Sequence, residues 1–182
     1  MQRVLAAPVD VSPAALSELK GWLGITTPAT DPALEALLRA GLELCEGFIG
    51  QMPLQAECEE VLPAAAAWQA LATRPVQAIT ALEGIAASGQ RTALAATAYA
   101  VELDADGVGR VLVMDAGEAG RVAVRFTAGI AADWLVLPDA LRQGVVRYAA
   151  NAWSERQSAE AAPALPAAVA ALWQPWRRMR LA

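Results

Sequence analysis

The chain has 182 residues, room for one domain with a sizeable core or for one domain carrying an insertion. Apolar residue types make up 56% of it, but 44 residues are alanine, so bulky apolar side chains are scarcer than the total implies. There is no histidine, there are two cysteines, and the net charge is −5. This excludes Ser-His-Asp and Cys-His nucleophiles, His-ligated zinc, a secreted disulfide framework and the net basic surface of an ordinary nucleic-acid binder.

The first ten residues meet a proline and an acid before any signal-peptide core develops, and the expectation is a soluble protein made inside the cell. The most apolar uncharged stretch, 161–173, is too short and too proline-broken to span a bilayer. Ser12-Pro13 announces a helix over 12–24, with Leu16, Leu19 and Leu23 at helical spacing and Gly24 as its exit. Asp31 is expected to cap, and Pro32 to open, a second helix over 31–50. Leu34, Leu37, Leu38, Leu42, Cys45, Phe48 and Ile49 fall on one face, and Glu35, Arg39 and Glu43 form a solvated i, i+4 ladder on the other.

The period then changes. Glu57–Leu62, Pro75–Leu82, Tyr99–Leu103, Arg110–Met114 and Arg121–Thr127 are short runs of β-type composition, the last alternating most clearly. They predict a small antiparallel β part over about 55–130, with a hairpin turn at Asp104–Gly109. Helix returns over 138–156, where Leu141, Val145, Tyr148, Ala149, Ala152 and Trp153 make one face. A linker at 158–163 leads to a last short helix from Pro166, carrying Val169, Leu172, Trp173 and Trp176. Pro175 must kink or end it. The expected fold class is α+β, mainly α-helical. A helical framework over 1–157 would hold the β insertion, and 158–182 would form a linker and C-terminal helical tail.

No motif carries catalysis or a metal. Asp104 and Asp106 are spaced like the start of a calcium loop, but Val108 and Leu112 stand where further oxygen ligands belong, so the segment reads as a turn. Gly107 and Gly109 lack the third glycine of a nucleotide loop. Glu57 and Glu59 share one strand face, most simply a solvated one. No cofactor is expected. Trp22, Trp68, Trp134 and Trp153 fit core or core-edge positions. Trp173 and Trp176 stand apart, in the last ten residues and beside Arg177, Arg178 and Arg180.

Taken in order, these segments carry a resemblance. They are Ala15-Leu-Ser-Glu-Leu-Lys-Gly-Trp-Leu23, Asp31-Pro-Ala-Leu-Glu-Ala-Leu-Leu-Arg-Ala40 and Glu46-Gly-Phe-Ile-Gly50. Arg74-Pro-Val-Gln-Ala-Ile-Thr80, Tyr99-Ala-Val-Glu-Leu-Asp104 and Val124-Arg-Phe-Thr-Ala-Gly129 follow. Leu137-Pro-Asp-Ala-Leu-Arg-Gln143, Asn151-Ala-Trp-Ser-Glu-Arg156 and Trp173-Gln-Pro-Trp-Arg-Arg-Met-Arg-Leu181 complete the set. The series resembles the head–tail connector (adaptor) proteins of long-tailed phages (siphoviruses), also found in gene transfer agents. The chain departs at Asn151–Arg156, where such proteins often have His-Trp-Tyr-Glu-Asn-Arg, and at Pro175-Trp176, where they often have Pro-Tyr.

The resemblance implies a structural virion protein without enzymatic activity, made in a bacterial cytoplasm and located in the phage neck. About twelve copies would form a ring under the portal protein. The ring would receive a stopper or tail-terminator protein on its far side and pass double-stranded DNA without binding it specifically. Another neck or tail-completion protein, stopper-like, is the alternative. No membrane is involved. Twelve chains at −5 would carry roughly −60, a field that repels phosphate. Glu43, Glu46, Asp104, Asp106 and Glu118 are the candidates to line or rim the channel. The C-terminal segment gathers Leu172, Trp173, Trp176, Arg177, Arg178, Met179, Arg180 and Leu181, a hot-spot mixture on a helix too short to hold itself, and is the candidate portal-binding element; the alternative is that the helix packs back on its own domain. The isolated chain is expected to be monomeric or weakly associated, with the ring forming on the portal.

Overall fold

A computed structural model describes residues 3–5, 11–156 and 165–177. The chain divides into two compact units, residues 1–8 with 55–130 and residues 9–54 with 131–182.

The first unit is built of strands. β1 (Arg3–Leu5), β2 (Ala56–Pro63), β8 (Arg121–Ala128), β4 (Val76–Ile85) and β5 (Arg91–Ala93) form a five-stranded antiparallel sheet in the order β1-β2-β8-β4-β5. β3 (Gln69–Ala70), β7 (Gly109–Val113) and β6 (Tyr99–Leu103) form a second antiparallel sheet in the order β3-β7-β6. The register explains the core. Cys58 opposes Phe126, Glu60 opposes Val124 and Leu62 opposes Val122, so one face of β2 and β8 is shared. Phe126, Val122 and Val124 are buried there with Leu62, Leu71, Leu82 and Val111. The β6–β7 turn needs its glycine. Gly107 has φ +71°, and a Cβ there would come within 2.5 Å of the Pro75 side chain.

These sheets correct the expected fold class. About 40% is helical and 27% strand, and the β part is a unit with its own core, so the protein is α+β but not a mainly helical framework. The physical reason lies in the ladders. β2 begins at Ala56-Glu57 and β4 runs on through Glu83-Gly84, residues of poor strand propensity that are held by hydrogen bonding to β8. β1, β3 and β5 have three, two and three residues, too few for any periodic signal.

The second unit is helical. α1 (Pro13–Leu23) starts where the Ser12 hydroxyl accepts from the Ala14 N–H at 3.2 Å and stops at Gly24, φ +68°. α2 (Asp31–Ile49) has Asp31 as its first residue rather than its cap, and the Asp31 carboxylate receives the Lys20 ammonium at 2.6 Å. α3 (Asp139–Glu155) packs on α2, and Leu34, Leu38, Leu42, Cys45 and Ile49 are buried with Leu141 and Val145. Gly41 lets them approach. A Cβ there would lie 3.1 Å from the Val145 side chain and 3.2 Å from that of Tyr148. α4 (Ala167–Trp173), followed by a 3-10 turn over Gln174–Trp176, lies on α3. No described helix is long and apolar enough to cross a membrane.

Candidate functional site

The tryptophans are distributed differently from the sequence expectation. Trp22 is 57% exposed and Trp68 48%, so neither belongs to a core. Trp134 is buried, and its Nε1–H donates to the Glu18 carboxylate at 2.9 Å. Trp173 is wholly buried. Its indole lies against Gly144, where any Cβ would collide with the ring, and its Nε1–H donates to the Leu141 carbonyl at 3.3 Å. Phe48 of α2 meets the same ring at 6.0 Å between centroids, tilted by 53°. The Arg177 guanidinium sits 5.7 Å from the Phe48 ring, and the Gln51 amide donates to the Trp176 carbonyl at 3.1 Å.

The C-terminal candidates therefore divide. Val169 and Trp173 face inward on their own unit. Leu172 and Trp176 are half-buried and Arg177 is exposed. Arg178, Met179, Arg180 and Leu181 lie outside the described residues. Sequence reasoning placed Phe48 on the apolar face of α2 but missed Gly144 and Gln51, which seat the segment with it. A glycine inside an otherwise regular helical pattern, Gly144, was the one available signal.

The channel candidates fall in both units. Glu43, exposed, and Glu46, half-buried, are on α2. Asp104 and Asp106 occupy the β6–β7 turn, where the Asp104 Oδ1 accepts from the Asp106 N–H at 2.9 Å and the Val108 N–H at 2.8 Å. Arg110 lies 3.7 Å from the Asp104 carboxylate and 3.6 Å from that of Glu102. Glu118, exposed, follows β7 at the end opposite that turn. The strand between them keeps Glu118 apart from Asp104 and Asp106.

Two acidic features of the β unit were not foreseen. Glu60 is 1% exposed, and its carboxylate accepts from the Ala72 N–H at 2.9 Å, the Thr73 N–H at 2.8 Å and the Thr73 hydroxyl at 2.7 Å. It fastens the segment after β3 to β2. On the sheet's other face, Arg91 grips Glu59 with two bonds of 2.8 and 2.9 Å, and Arg125 lies 3.4 Å from Glu59 and 3.1 Å from Glu83. These bonds, the Arg91 pair foremost, hold the Glu59 carboxyl below its ordinary pKa. They raise that of Arg91. Both groups are charged and mutually satisfied, which suits a structural clamp across the strands. Among the described residues no cluster could hold a metal ion.

No protein-family model matches the chain, and no curated protein matches it. Solved structures do. A chain from the neck of an empty gene transfer agent particle, computed with C6 symmetry, is 29% identical and aligns at a TM-score of 0.76, covering 100% of this chain and 98% of that one. A chain from the virion of the native particle aligns at 0.75 over the same spans. One from the neck of the native particle, computed with C12 symmetry, aligns at 0.73. The likeness takes in both units end to end. Sequence resemblance and fold converge on a structural neck or connector role in a phage-like particle.

Proposed function

We propose that the chain assembles as a homo-oligomeric ring of about twelve copies in the neck. There it would join the portal protein to a stopper or tail-terminator protein while DNA passes through the hole. One observation carries this reading: the likeness to neck chains solved with C6 and C12 symmetry covers 100% of this chain and 98% of those. A rotational ring needs two different faces on each protomer, and a two-unit chain provides ample surface for them. The role is structural and non-catalytic. The portal contact is made by the C-terminal segment, through Trp176, Arg177 and the Arg178–Leu181 stretch, with Trp173 seating that segment on its own unit. The net charge of −5 per chain keeps the bore from adhering to phosphate. Cryo-electron microscopy of purified particles tests the whole reading. A ring of this chain directly beneath the portal is expected. A ring elsewhere in the tail would favour the tail-completion alternative.

A further inference from the structure

Three large apolar side chains of the helical unit are exposed. Leu135 is 68% exposed, Val136 63% and Trp22 57%. Leu135 and Val136 sit on a stiff loop. The Asp133 carboxylate accepts both of their N–H groups, at 2.8 and 3.2 Å, and Arg142 donates to the Leu135 carbonyl at 3.4 Å. Arg142 also lies 3.5 Å from Glu18, and Glu18 holds Trp134 of the same loop. Trp22 is one helical turn beyond Glu18, on the same side of α1. The Arg147 guanidinium lies 5.8 Å from the Trp22 ring. Exposed apolar side chains beside a guanidinium make a surface that suits a partner with small side chains and a carboxylate.

The same unit carries such a partner. The side of α2 away from its core carries the small residues Ala36, Ala40 and Gly47 beside the ladder of Glu35, Arg39 and Glu43, which has two acids to one arginine. Small side chains let bulky ones approach closely, and Glu43 complements Arg147 in charge. The two surfaces lie on different helices of one protomer, so pairing them between copies is head-to-tail. That is the pairing a ring requires.

We propose that the Trp22–Leu135–Val136–Arg147 face docks on the outer side of α2 of a second copy, and that this contact closes the ring. The proposal rests on the neck reading and adds to it the surface through which neighbours meet. Glu43 then faces a neighbour rather than the bore.

The test uses particles whose only copies of the chain carry Leu135→Cys together with Ala36→Cys, treated with a flexible bis-maleimide. Both native cysteines are buried, which leaves the introduced pair as the reactive one. The double variant is expected to give a ladder running past the dimer, and each single variant only monomer. Rings present without a ladder would overturn the interface, and a dimer from Leu135→Cys alone would overturn the head-to-tail arrangement. Particles in which the chain forms no ring would overturn the neck reading itself. Arg147→Glu should lower incorporation of the chain about tenfold, and adding Glu43→Arg should recover most of that loss. Failure of the second change to rescue the first would count against the pair.

Discussion

The Trp173 indole occupies the space that a side chain at position 144 would need. Gly144 and Trp173 are thus one packing unit, with the ring's N–H tied to the Leu141 carbonyl on the same helix turn. Trp173→Ala should cost about 3–5 kcal/mol through the cavity it opens. Gly144→Ala should destabilise by expelling the ring. The double variant should be less damaging than the two costs added, because the alanine then has room. Urea unfolding of the four proteins checks this, and strict additivity would sink the coupling.

That packing separates the two roles of the C-terminal segment. Ending the chain after Arg177 keeps Trp173 and removes Arg178, Met179, Arg180 and Leu181. The thermal midpoint should hold while portal binding falls. Ending it after Pro163 should lower both, since α3 loses its cover. Binding that survives the shorter truncation would remove those four residues from the portal contact.

Glu60 is the most demanding polar position in the β unit. Glu60→Ala leaves two N–H donors and a hydroxyl without acceptors, and should cost about 2–4 kcal/mol. Thr73→Val removes one donor and should cost about 1 kcal/mol. Equal effects of the two changes in chemical denaturation would show that the carboxylate does not organise the segment.

The Glu59 clamp gives a pH dependence. Its pKa is lowered in the folded state, so its stabilising effect is present above the ordinary carboxylate pKa and is lost as pH falls through the depressed value. The stability advantage of the wild type over Glu59→Gln should be full at pH 7 and shrink steadily below about pH 4. A constant difference across that range would contradict the clamp.

Burial pushes the Cys45 thiol up to about 12, with the neighbouring Glu46 charge adding to it. At pH 8 it is neutral and should resist a thiol reagent until the helical unit opens. Labelling followed by peptide mass analysis should therefore track unfolding. Rapid labelling of Cys45 in the folded protein would contradict this.

Much of the helical unit was written locally. Ser12-Pro13 and Gly24 bound α1, and Gly50 ends α2 at φ +70°, because caps and left-handed glycines act within a single turn. The alternation of Arg121–Thr127 likewise announced β8. The ordered set of segments determined the connector resemblance. Three things depended on residues distant in sequence. The extent of the sheets came from ladders that recruit Ala, Glu and Gly into strands. The fate of each tryptophan turned on partners, so Trp173 found Gly144 and Phe48 while Trp22, on an equally regular helix, stays exposed with the Arg147 guanidinium over its ring. Glu60 became a buried anchor because the segment after β3 brings two N–H groups to it. Helix ends and strand alternation obey near-neighbour sterics and hydrogen bonding, which sequence states directly. Burial is decided by which surfaces meet, and only the folded chain brings them together.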